Sequence, residues 1–101
     1  MSKKYTLQDF QQCVQQTFLL AGGQETAKVE LVLESVIPYQ AEGQEKPDSN
    51  AFSLLFKGAA DFFLPQGLYA MENQHLGLVE IFITPLGRLA DNNFQYEAVF
   101  N

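Results

Sequence analysis

Leu7, Phe10, Val14 and Phe18 recur at intervals of three and four residues, the spacing that places side chains on one face of a helix. Thr6 stands just before them and Asp9 follows it by three residues, which is the spacing of a capping box, with Asp a weaker partner than Glu at the third position. A helix over about 7–16 is predicted, with Gln8, Gln11, Gln12, Gln15 and Gln16 on its polar side. From Thr17 the period shortens. Residues 17–21 are short and apolar, Gly22-Gly23 supplies a turn, and 27–37 alternate Val29, Leu31 and Leu33 with Glu30, Val32 and Glu34. Two strands about a glycine turn fit this pattern, the second half-buried and stopped or bent at Pro38.

The polar stretch 40–50 reads as a mobile loop. Beyond it, Phe52, Leu54 and Phe56 alternate with Ser53, Leu55 and Lys57, and Gly58 closes that strand. Pro65-Gln66-Gly67 starts another strand at Leu68. Gln74-His75-Leu76-Gly77 joins 68–73 to 78–84 as a hairpin, with Gly77 at the residue that needs positive φ. The run 78–83 is apolar except for Glu80, so it is expected to be central and covered on both faces, with 85–93 a loop after it. Phe94, Tyr96, Ala98 and Phe100 alternate in a last strand over 94–100. The predicted class is mainly β (α+β). Six antiparallel strands form a meander, curled into a small barrel or packed as a tight sandwich, with one N-terminal helix closing an opening.

With 101 residues the chain is expected to be one domain over 1–101, and nine Phe and four Tyr supply its core volume without Trp. A net charge of −6 repels the phosphate backbone, which excludes nucleic acid as an expected partner. Lys28, Lys57 and Arg88 form no basic stripe with interleaved aromatics, so an oligonucleotide-binding barrel is not expected. Cys13 is the only cysteine, which rules out an intramolecular disulfide and suits a cytoplasmic protein. Neither a signal-peptide core nor an apolar stretch long enough to span a membrane is present.

The chemistry on offer is sparse. Glu72 precedes the single histidine, His75, by three residues, a spacing that converges two metal ligands on a helix but not at a hairpin. Cys13 adjoins an apolar helix stripe and lacks a surrounding motif, so it reads as a small buried hydrophobe in place of a nucleophile. Asp48-Ser49-Asn50 and Asp91-Asn92-Asn93 are turn formers without the glycine and glutamate of a calcium loop. Gly22-Gly23 has no following Lys-Ser or Lys-Thr to make a phosphate loop. No catalytic residue, metal or cofactor is expected. The distinctive feature is Phe62-Phe63-Leu64-Pro65 in a connection between strands. Neighbouring side chains of an extended segment point to opposite sides, so Phe62, Phe63 and Leu64 cannot all enter one core. They are the candidate interface with a protein partner or a second copy, the competing expectation being a loop that plugs the barrel end.

Several stretches also carry a resemblance. Phe52-Ser53-Leu54-Leu55-Phe56-Lys57-Gly58, Leu64-Pro65-Gln66-Gly67-Leu68-Tyr69, His75-Leu76-Gly77 with Glu80-Ile81-Phe82, and Tyr96-Glu97-Ala98-Val99-Phe100-Asn101 resemble a family of small bacterial proteins of unknown function. Leu7 with Phe10 and Thr17-Phe18 extend the likeness over nearly the whole chain. The resemblance implies genes near those for phage-tail-collar-like proteins, hence an accessory part in a tail-like or surface assembly, and implies no catalytic residues. The function expected is a non-enzymatic structural or interaction module, the alternative being a barrel that holds a small ligand in its interior.

Overall fold

The computed structural model describes residues 5–21, 29–38 and 51–100. Helix α1 (Leu7–Gln11) is followed by strands β1 (Thr17–Leu20), β2 (Glu30–Pro38), β3 (Phe52–Gly58), β4 (Gly67–Asn73), β5 (Gly77–Arg88) and β6 (Phe94–Phe100). The expected turn at Gly22-Gly23 and the expected loop over 40–50 lie outside the described residues. All strand pairs are antiparallel, and the sheet closes on itself in the order β1-β2-β3-β6-β5-β4. The class and the barrel agree with the sequence pattern, and the sandwich alternative falls away because no open edge is left.

The order around the barrel departs from a single meander. β1, β2 and β3 pair in sequence, as do β4, β5 and β6, but β3 pairs with β6, for example Phe56 opposite Tyr96. The second seam is β1 with β4, Leu20 opposite Met71. Residues 59–66 therefore cross one barrel end instead of turning a hairpin. Local alternation specifies each strand and its inward face, yet it says nothing about which distant strand completes a seam.

Helix α1 covers the other end. Thr6 Oγ1 accepts the Asp9 amide at 3.4 Å, and the Asp9 carboxylate accepts the Thr6 amide at 2.9 Å. The capping box is thus present in both halves. The helix is shorter than expected, because Gln15 takes φ 73°. Its amide then donates to Leu33 O at 2.7 Å while Gln16 O accepts the Leu33 amide at 3.1 Å. Pairing with β2 thus claims residues that the helical spacing had included.

Leu7 and Phe10 point from the helix into the barrel. Phe10 meets Phe52 at 5.7 Å and Phe100 at 5.3 Å between ring centroids, and Phe18 meets Phe56 edge-on at 5.2 Å. Phe10, Phe18, Phe52, Phe56 and Tyr96 are all buried, and with Leu31, Leu33, Leu54, Met71, Ile81 and Ile83 they fill the interior. Burying each such side chain contributes roughly 1.5–3 kcal/mol. Space is tight where Gly58 passes: a Cβ there would lie 2.8 Å from Leu31 Cδ2 and 2.9 Å from Tyr96 Cε2.

Two expectations for β5 are corrected. The run 78–83 is covered on one face only, since Val79, Ile81 and Ile83 are buried while Leu78 and Phe82 are 63 % and 51 % exposed. A barrel wall has an inside and an outside, and no second layer covers this outside. Residues 85–88 belong to the strand and not to a loop. Pro85 sits opposite Tyr96 and Gly87 opposite Gln95, so Leu86 is an extra residue in a bulge, with Gly87 at φ 116°. Proline and glycine are the residues that bulges share with turns, which is why the segment reads as a turn in sequence.

Candidate functional site

Asn73 is the one buried polar residue among those described, at the helix end of the barrel. It closes the β4-β5 turn by accepting the amides of His75 and Leu76 on its Oδ1, at 2.8 and 3.0 Å. Its Nδ2 donates to Gln16 Oε1 at 3.1 Å and to Thr17 O at 3.2 Å. One amide thereby ties the turn to the chain leaving the helix. Buried amides are tolerated when every donor and acceptor is used, as here. Cys13 lies beside it, its Sγ 3.5 Å from Asn73 Oδ1 and 3.5 Å from Asp9 O. Burial, and next the Asp9 carboxylate, push its thiol above the ordinary value, which disfavours the thiolate a nucleophile needs.

The two metal-ligand candidates part company in three dimensions. Glu72 is exposed on the outer wall opposite Leu78, whereas His75 lies in the turn and is engaged through its backbone amide. Among the described residues no three His, Cys, Asp or Glu come together as a metal-ligand group. On the β2-β3 wall a cleft of about 320 Å³ is lined by Glu30, Glu34, Lys57, Gln15 and Asn93 with Val32, Gly58 and Ala59. The Lys57 ammonium there is paired with Asp91. That contact holds the Lys57 pKa up and the Asp91 pKa down.

The opposite end carries the crossover with Phe62, Phe63 and Leu64. Leu64 is 2 % exposed, while Phe62 and Phe63 are 39 % and 50 % exposed. Strict alternation would place Phe62 on the side of Leu64, but Phe62 closes a turn through its amide to Ala59 O at 3.4 Å, and Leu64 alone of the three is buried. Leu64 plugs the barrel and its neighbours project. The plug is pinned from inside: the Leu64 amide donates to Tyr96 Oη at 2.9 Å, and the Tyr96 hydroxyl donates to Phe62 O at 3.5 Å. Burial raises the Tyr96 pKa, against a smaller lowering by the Leu64 amide, so the hydroxyl keeps its proton.

The projecting side is also braced. Phe63 packs edge-on against Phe94 at 5.2 Å, and the Arg88 guanidinium lies 4.1 Å from the centroid of that same Phe94 ring. Arg88 Nη1 donates to Ala60 O at 3.3 Å and to Asn92 O at 2.7 Å, joining the crossover to the β5-β6 turn. Tyr69 Oη donates to Pro65 O at 2.7 Å from the far side. Phe62 and Phe63 are therefore presented on a fixed segment, and the ordering cost that a mobile loop would incur on contact is already met within the fold.

Sequence reasoning singled out this segment but missed its fastenings. Tyr96 was legible as an inward residue of an alternating strand; that its hydroxyl reaches residues 62–64 follows only from the β3-β6 seam. The apolar outer wall was missed because a continuous apolar run does not reveal which of its residues face outward.

Comparison with curated proteins and with solved structures finds no match. Comparison with family models does find one, over residues 5–100 and hence over all six strands and the helix. On that match the chain belongs to the family described as Domain of unknown function (DUF6916).

Proposed function

We propose that the protein is a non-enzymatic interaction module that docks through Phe62 and Phe63, as an accessory component of a bacterial phage-tail-like or surface assembly. The observation that carries this reading is the division of labour within the crossover, where buried Leu64 is fixed to Tyr96 while two adjacent phenylalanines stand half-exposed. Exposed aromatics on a rigid support are the usual anchors of protein contacts. The resemblance noted in the sequence supports the assembly setting, and the single reduced thiol, buried at Cys13, suits a cytoplasmic site of action. The interior filled by packed rings favours a packing module over a container for a small ligand.

The test compares Phe62→Ser with Phe63→Ser as a double variant against Leu64→Ser, by sedimentation and thermal melts. The double variant loses self-association or partner capture and costs the fold only about 1 kcal/mol, chiefly from the Phe63 to Phe94 contact. Leu64→Ser costs about 2–4 kcal/mol, because it both empties apolar volume and buries a hydroxyl. If the double variant unfolds as readily as Leu64→Ser and association is untouched, the crossover is a plug and nothing more.

A further inference from the structure

Away from the crossover, the outer wall of the barrel carries a row of apolar side chains at one height. Leu68 on β4 is opposite Phe82 on β5, and Val99 on β6 is opposite Ser53 on β3, which is opposite Ile37 on β2. The β5-β6 pairing ends at Thr84 opposite Glu97, and Phe82 and Val99 stand two residues beyond that last pair, on the outward face of their strands. Leu68, Phe82 and Val99 are 61 %, 51 % and 62 % exposed. At a strand spacing of about 4.8 Å these three span on the order of 10 Å, the width of one helix.

Charge decides what can lie there. Two residues from Phe82 along β5 is exposed Glu80, two from Val99 along β6 is Glu97, and exposed Glu72 lies one strand over, opposite Leu78. The described residues hold eight carboxylates and only two Lys or Arg, namely Lys57 and Arg88. Lys57 is paired with Asp91, and Arg88 is engaged with Phe94, Ala60 and Asn92. Among the described residues no Lys or Arg is left over to balance the wall. A second copy would bring like charges against Glu80 and Glu97, and an anionic membrane surface would be repelled in the same way. We infer that the Leu68, Phe82 and Val99 row is a docking face for a basic amphipathic segment of a protein partner, apolar residues on the row and Lys or Arg toward the flanking glutamates.

This inference rests on the wall alone and is independent of the crossover. The probe is a synthetic amphipathic helix of leucine and lysine, with its leucine and glutamate counterpart as control, titrated into the protein and followed by amide NMR. The lysine peptide shifts the amides of Leu68, Ala70, Glu80, Phe82, Glu97 and Val99, and the glutamate peptide does not bind. Leu68→Ser with Phe82→Ser weakens binding about tenfold or more, and both positions are exposed enough for the fold to survive. Glu80→Gln with Glu97→Gln weakens it about threefold and flattens its salt dependence. The Phe62 and Phe63 variant binds as the parent does. Absence of binding, equal binding of both peptides, or shifts centred elsewhere would overturn the inference. So would a dimer, or adsorption to anionic vesicles, that Leu68→Ser with Phe82→Ser abolishes.

Discussion

Tyr96→Phe removes a single oxygen from a ring that is fully buried, so it leaves the packing of Phe56 and Gly58 in place and isolates the pin on the crossover. The Leu64 amide, 2.9 Å from Tyr96 Oη in a buried setting, loses its acceptor and has no water to replace it. A buried donor left without a partner costs about 1–3 kcal/mol. For a domain of this size each kcal/mol lowers the melting temperature by about 4–8 °C, so a fall on the order of 5–20 °C is expected. Tyr69→Phe is the matched control. It deletes a hydrogen bond to the same crossover, the 2.7 Å contact with Pro65 O, but in an exposed setting where water takes over, and its cost should stay below about 0.5 kcal/mol. Urea denaturation with an unchanged slope gives both free energies. Hydrogen exchange at Leu64 shows whether the amide has been released. Equal costs for the two variants, or unchanged Leu64 protection in Tyr96→Phe, would refute the pin.

Three further outcomes follow from the same contacts. Asn73→Ala should cost about 2–4 kcal/mol, read from urea melts, because it strands the His75 and Leu76 amides and frees Gln16 and Thr17 together. Burial raises both the Cys13 and Tyr96 pKa above their ordinary values of 9.0 and 10.0, so the unfolded chain loses these protons first. Stability is then intact at neutral pH and falls as pH rises past 9 and 10, and Cys13→Ala with Tyr96→Phe should flatten that decline in pH-dependent melts. Deleting 94–101 should abolish the cooperative melt, since β6 is paired along both sides, to β3 and to β5, and its loss opens the barrel.

Much of this fold is legible along the chain because each strand buries alternate residues. Phe52, Leu54 and Phe56 stand out as inward by period alone, and the structure buries all three. What stays hidden depends on partners far apart in sequence. The β3-β6 seam joins residues about forty apart and turns an apparent hairpin connection into a crossover. Asn73 reads as the last residue of the strand before Gln74, and its role as a tie to Gln16 and Thr17 emerges only when β1 meets β4. Pro85 and Gly87 mislead because a bulge and a turn ask for the same residues. Within the candidate site, extended geometry made it legible that Phe62, Phe63 and Leu64 cannot all be buried, whereas the exposure of both phenylalanines and the burial of Leu64 alone follow from the turn at Ala59 to Phe62 and from barrel closure.

The account rests on Phe63 touching another protein while Leu64, one residue away, does not. A photoreactive phenylalanine analogue placed at position 63 tests this in cells that make the protein naturally, with the same analogue at exposed Gln74, at the far end of the barrel, as control. The expected result is a discrete crosslinked species from position 63, none from position 74, and loss of the species when Phe62→Ser is added. Crosslinks from both positions alike, or from neither, would contradict the claim that the crossover is the contact surface.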